Sequence, residues 1–243
     1  MSGGSTGPGT IRRAITALVA VQIAIGAALM LMDLNQSFPG GDPLTAPRPT
    51  GPATRPFRPD RAPGPSEPPG GGRMADRLEI GGEGTEMTLS GQIAPGDGAR
   101  VAEALASRSP AASSVQLHST GGSVSDALEI GEALRAGGID TVIGENSVCY
   151  SACPYVFAGG ATREVASTGR LGVHQHYFGQ NAYLPAFTAV EDVQRGQAEV
   201  MAYLGRMGIE IAVMEHALRT PPEQIYILSR EELERYRFVP AKD

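Results

Sequence analysis

The chain has 243 residues, a formal net charge of -6, and aromatic residues at only 5%. This balance leaves no basic patch to neutralise phosphates and no platform on which bases could stack, so nucleic acid is not an expected partner. Much of the 32 Gly and 19 Pro falls in the first third, which leaves about 165 residues for a folded part, enough for one domain with its own core.

Residues 1–13 are read as a short cytoplasmic segment and 14–34 as a transmembrane helix or signal anchor. The run Ala14 to Met32 is uncharged. At about 1.5 Å per residue it covers roughly 28 Å, close to the hydrocarbon thickness of a bilayer. Arg12 and Arg13 precede it and Asp33 follows, so the positive-inside rule keeps the amino terminus in the cytoplasm and sends the remainder across. Basic residues followed by an apolar run also describe a cleaved signal peptide, and both readings export the rest of the chain. Residues 35–75 are dense in Pro and Gly and poor in aliphatics, the composition of a disordered, extended linker.

From 76 to 243 the patterns alternate between strand and helix, which predicts an α/β domain. Glu86 to Ile93 reads as a strand. Gly96 to Arg108 follows as a helix with Val101, Ala102 and Leu105 on one face. Ser114 to His118 is the next strand, and Ser123 to Ala136 a helix with Val124, Ala127, Leu128, Ala133 and Leu134 inward. Strands are expected at Asp140 to Gly144, Arg163 to Ala166 and Leu171 to Gln175, with a helix opening just after Ser151. Val190 to Met207 is a long amphipathic helix, and the remainder is helical around a strand at Gln224 to Leu228. Short connections between strand and helix imply parallel pairing.

Three places carry chemistry. The strand Ser114 to His118 runs through Ser119-Thr120-Gly121-Gly122-Ser123 into a helix, and paired glycines there allow a tight turn that turns amide N–H groups outward, as an oxyanion requires. A tight turn with a capping role is the plain alternative. Pro154 is tolerated in a helix only in its first turn, so Ser151 or a close neighbour should be the N-cap. A serine there either caps or serves as a nucleophile. Gly172-Val173-His174-Gln175-His176 then places His174 and His176 on one strand face, where an imidazole could take a hydroxyl proton near neutral pH. Two such histidines also suit a metal, but few further ligands stand near, and neither a metal nor a cofactor is expected.

These motifs, in this order and with His174 lying 23 residues after Ser151, resemble the proteolytic subunit of the Clp protease, within the crotonase-like superfamily. The resemblance covers about Gly91 to Val239. It implies a Clp-protease/crotonase-like α/β domain of repeated β-β-α superhelical units, preceded by one transmembrane helix and a linker. It further implies a serine-type peptidase with Ser151 as nucleophile, His174 as general base, and the N–H groups of Ala152 and of Gly121 or Gly122 as oxyanion donors. The partners implied are a peptide or protein substrate and a homo-oligomer. With the export signal, the chain looks closest to a membrane-anchored offshoot on the periplasmic side of a bacterial inner membrane.

The sequence also departs from the family. His176 stands where the family has Pro after His-Gln, and no Asp stands near Ile227-Leu228-Ser229, where the third triad member is expected. Glu223 is the nearest carboxylate. Either it orients His174 or the site works as a dyad; losing an orienting acid costs on the order of ten-thousandfold in known triads. A catalytically inactive Clp-like module that binds peptides or partners is the alternative, and acyl-thioester chemistry of the crotonase kind a third. Cys149 and Cys153 flank the serine: a disulfide between them would pin the nucleophile turn, and two buried thiols are the other reading. His118 and His216 read as solvated or packing residues, Met201, Leu204, Met207 and Met214 as core, and Tyr177 to Phe187 as a lid or an oligomer contact.

Overall fold

The computed structural model describes residues 8–36, 54–56, 74–176 and 186–241. The chain divides into two compact units, 1–47 and 48–243. The first is helix α1, Pro8–Gln36, whose proline sits in the first turn where its missing N–H is harmless. Within it Arg12–Leu31 is long and apolar enough to cross a membrane, and large apolar side chains such as Leu18, Ile23 and Leu29 are exposed. A membrane span and a signal sequence both need that surface.

The second unit is a mixed α/β domain. Its elements are β1 (Thr54–Pro56), β2 (Glu79–Gly81), β3 (Glu86–Ser90), α2 (Asp97–Ser107), β4 (Ser114–His118), α3 (Val124–Ala136), β5 (Asp140–Ile143) and β6 (Val148–Tyr150). These are followed by α4 (Cys153–Ala158), β7 (Arg163–Val165), β8 (Arg170–Val173), α5 (Ala186–Arg206), a 3-10 turn (Ile211–Val213), α6 (Met214–Arg219), β9 (Gln224–Ile227) and α7 (Arg230–Arg235). One sheet has the order β2-β3-β4-β5-β7 and the other β1-β9-β8-β6. As the short connections predicted, β3, β4, β5 and β7 are parallel to one another, and so are β6 and β8. The pairs β2/β3, β8/β9 and β1/β9 are antiparallel.

Local sequence explains most of this. In β4 the alternating Val115 and Leu117 are buried. Helix α3 is capped by Ser123, whose side chain accepts from the Asp126 N–H, and it buries Ala127, Leu128, Ile130, Gly131 and Leu134. The buried stripe therefore includes Ile130, which the expected inward set lacked, while Val124 and Ala133 are only half-buried. The strand expected to reach Ile93 stops at Ser90, because Gly91 turns the chain at φ +121°. Ile93 instead forms an isolated parallel bridge to Gly122.

Most of the segment expected as linker lies outside the described residues. Thr54–Pro56, within it, are nevertheless a strand paired to β9, and Met74 is buried. Two further elements were not expected, β2 and β6, whereas α7 falls in the stretch expected to be helical. Helix α7 carries a legible signal, a capping box in which the Ser229 hydroxyl accepts from the Glu232 N–H and the Glu232 carboxylate accepts from the Ser229 N–H.

The core lies between the sheets and α2 to α6, with Leu89, Leu134, Phe157, Leu171, Tyr203 and Leu204 among its fully buried side chains. Met207 and Met214 are buried there and Met201 packs against it, so this group is core as expected. Helices α3 and α4 meet backbone to backbone: a Cβ on Gly159 would lie 2.2 Å from the Gly131 carbonyl oxygen. Arg163 ties the carboxy-terminal segment to this layer by donating to the carbonyls of Gly160, Arg237 and Phe238 at 2.9–3.1 Å. Because neither helix can move away without opening the core, Gly159→Ala is expected to destabilise the domain by about 1–3 kcal/mol, read as a lower denaturant midpoint at unchanged slope.

Candidate active site

The junction of the two sheets builds the site. Beyond β4 the chain continues as Ser119, whose N–H donates to the Val148 carbonyl (2.8 Å) and whose carbonyl accepts from the Tyr150 N–H (3.0 Å). This places the glycine turn beside the end of β6. Gly121, at φ +95°, packs so closely that a Cβ there would lie 2.5 Å from the Ser151 Cβ and 2.7 Å from the Ala152 nitrogen. Only glycine fits. The turn is held from its other side as well, where Ile93 N–H donates to the Gly121 carbonyl and Ser123 N–H to the Ile93 carbonyl, both at 2.8 Å.

Ser151 follows β6 directly and adopts φ +61°. For a residue with a Cβ this left-handed conformation costs on the order of 1–3 kcal/mol and recurs at functional sites. Its N–H donates to the Gly172 carbonyl of the neighbouring strand at 3.1 Å. Helix α4 takes Ala152 as its N-cap, with no side-chain bond. The capping role is thus not what Ser151 performs. Its hydroxyl instead pairs with His174, Oγ to Nε2, at 2.7 Å.

His174 stands at the end of β8 and is buried, 5% exposed. Its Nδ1 lies 3.1 Å from the Pro222 carbonyl oxygen. A carbonyl can only accept, so Nδ1 carries the proton and Nε2 is left to accept from the serine hydroxyl, the tautomer a general base needs. Burial pushes the imidazole pKa down to about 4; the Pro222 carbonyl and the Glu223 charge pull it back up, and His176 pushes it further down. Near neutral pH His174 is therefore uncharged.

Glu223 is exposed and acts on His174 through its charge, while the hydrogen bond at Nδ1 goes to the carbonyl of the residue before it. His176 turns to another partner: its Nε2 is 2.7 Å from the Tyr155 hydroxyl. The two imidazoles thus do not present a shared pair of nitrogens to one metal. Among the described residues no group of three or more His, Cys, Asp or Glu side chains is arranged to hold a metal.

The two glycines of the turn are not equivalent. Gly121 N–H donates to the Ser119 Oγ at 3.1 Å. Gly122 is exposed, and in its parallel bridge to Ile93 the bonds are made by its neighbours, so its own N–H points to the opposite side. Cys149 and Cys153 are joined in a disulfide. His118 Nδ1 accepts from the Val148 N–H (3.2 Å), and His216 stacks on Tyr226 with centroids 4.2 Å apart; both are packing residues, as expected. The Tyr177 to Phe187 loop lies outside the described residues up to 185.

Sequence reasoning missed the supports of the site. Asp126 accepts from the N–H groups of Gly96 and Gly98 at 2.8 and 2.9 Å and from the Ser123 hydroxyl, fixing the loop that carries Ile93. Fully buried Asp97 accepts from the Ala94 and Leu78 N–H groups and pairs with Arg77 and Arg100. Its carboxyl pKa is lowered: burial, the largest influence, works against ionisation and is outweighed by these donors together. The Asp126 position was readable as Ser123-x-x-Asp126 ahead of an apolar run, a capping signal; the Pro222 carbonyl had no side-chain signature at all.

Comparison with protein-family models and with curated proteins finds no match.

The histidine environment has a thermodynamic consequence. His118, His174 and His176 all have pKa values lowered chiefly by burial, so between about 6.5 and the folded-state values the unfolded chain binds more protons than the native one. Stability from this source is full above about 6.5 and is lost as pH falls toward 4. NMR titration should place the His174 midpoint near 4, and denaturant unfolding should show stability declining across that window. A midpoint at or above 6.5 would contradict the buried, carbonyl-oriented imidazole.

Proposed function

We propose that the domain is a serine hydrolase of the Clp-protease type, a peptidase acting on peptides or proteins. The observation that carries this is the 2.7 Å contact between Ser151 Oγ and His174 Nε2, made by a serine held in a left-handed conformation beside a glycine turn. The motif resemblance and the parallel α/β layout support the same reading, including the crotonase-like fold type.

In the proposed reaction a substrate carbonyl binds over Ser151. His174 Nε2 takes the hydroxyl proton as Oγ attacks, and the Ala152 and Gly122 N–H groups donate to the developing oxyanion. The imidazolium returns its proton to the leaving amine, and water, deprotonated by the same nitrogen, releases the acyl group. With a carbonyl rather than a carboxylate at Nδ1, the imidazolium gains less stabilisation than in a full triad. Turnover is accordingly slow but stays above the uncatalysed reaction. No cofactor is invoked. Placement is part of the proposal: α1, with Arg12 and Arg13 before its apolar run and Asp33 after it, sends the domain to the periplasmic side of a bacterial inner membrane.

A second reading, a catalytically inactive module that binds peptides or partners, draws on the same Nδ1 contact to a carbonyl. A fluorophosphonate probe on the purified protein separates the two. Covalent labelling is expected for the wild type, none for Ser151→Ala, and about a hundredfold or more slower labelling for His174→Ala, the scale of a positioned base. Glu223→Gln should slow it only a few-fold, because the exposed carboxylate acts at a distance through solvent. A wild-type protein left unlabelled at pH 7 to 8 would sink the hydrolase reading and favour the binding module.

A further inference from the structure

Ser151 sits midway between Cys149, in β6, and Cys153, the first residue of α4. The bonded cysteines have Cα atoms 5.1 Å apart, whereas four steps of extended strand would separate them by about 13 Å. The chain must therefore reverse between them, and the residue at the apex is the serine at φ +61°. Other restraints on this turn are non-covalent, among them Ser151 N–H to Gly172, Tyr150 N–H to Ser119, the Ser151 hydroxyl to His174 and the close packing of Gly121. The disulfide alone links the two arms of the reversal covalently.

We infer that the Cys149–Cys153 bond is a positioning element of the nucleophile, so that the site is competent only in the oxidised chain. This rests on the reading of Ser151 as the nucleophile. Forming the bond removes two protons and two electrons from the two thiols, which pass to a disulfide oxidant that becomes a dithiol. Both cysteines are almost completely buried, at 0% and 1% exposure, so an exchanging thiol cannot reach either sulfur in the packed domain. The bond is consequently made while the chain folds. It behaves as a maturation step rather than a rapidly reversible sensor. A chain that folds in a reducing compartment keeps two buried thiols and a displaced serine; one that folds after crossing into an oxidising compartment gains its activity there. The apolar α1 and the disulfide would then be two parts of one device that withholds hydrolysis until export.

The test compares full-length protein refolded under a dithiol reductant with protein refolded in a glutathione redox buffer, thiol content being verified by alkylation after unfolding. Fluorophosphonate labelling of the reduced form is expected to be on the order of a hundredfold slower, the scale of an ångström misplacement of a reacting group, with far-UV circular dichroism retained. Unfolding the reduced protein and refolding it in the glutathione redox buffer should restore the wild type but not a Cys149→Ala, Cys153→Ala variant, which should label slowly under both conditions. Equal labelling of oxidised and verified reduced protein overturns the inference while leaving the hydrolase reading intact. If the oxidised form itself is not labelled, the hydrolase reading fails. Positioning is then judged by amide hydrogen exchange over 147–155: faster exchange on reduction supports it and unchanged exchange refutes it.

Discussion

Two backbone hydrogen bonds around Ser119 join the two sheets of the domain next to the candidate site. They pair the residue just beyond β4, in the five-stranded sheet, with Cys149 in β6 of the four-stranded one. These groups are buried, and a buried amide left unpaired costs about 1–3 kcal/mol, so the junction is not optional. Everything of chemical interest follows from it: the glycine turn belongs to one sheet, the serine and the histidine to the other, and the pairing sets the distance between them. Gly121 then closes the gap, because the space a Cβ would fill is already taken by Ser151 and Ala152.

The electrostatics of the site run against the usual division of labour. The domain's buried carboxylates, Asp97 and Asp126, are used on structure, accepting from loop amides and from arginines that lock the approach to α2 and α3. At Nδ1 the His174 imidazole meets a backbone carbonyl. This arrangement specifies the tautomer of His174 as well as a carboxylate would, since both accept from Nδ1–H, but it provides no full negative charge to balance an imidazolium. Burial and the nearby His176 lower the basicity further. Geometric organisation is thus strong and electrostatic support weak, which is why slow hydrolysis and pure binding are the two readings that meet here, and why reactivity rather than structure separates them.

Strain and its containment have the same origin. Ser151 and Gly121 both occupy the left-handed region, facing each other across the sheet junction. The serine holds its conformation because its N–H is paired to Gly172, its hydroxyl to His174, and its flanking cysteines to each other. Helix α4, too short to be stable alone, survives because all six of its residues are buried and its backbone rests on Gly131.

The one-dimensional pattern by itself determined the apolar helix, the α/β class, the parallel pairing, and the position of β4 and α3 to within a residue, because periodicity and caps are local properties carried by consecutive side chains. It also named Ser151, His174 and the Gly121-Gly122 turn, since each residue type has few uses at such a junction. It was silent on β6, three residues long and paired to β8 and to Ser119, and on β2. Tertiary structure alone decided that Ser151 pairs with His174 instead of capping α4, that Gly121 and not Gly122 spends its amide on Ser119, that the cysteines bond, and that Pro222 rather than Glu223 reaches Nδ1. Those outcomes depend on which backbone atoms from distant segments meet, and a backbone carbonyl looks the same at every position of a sequence.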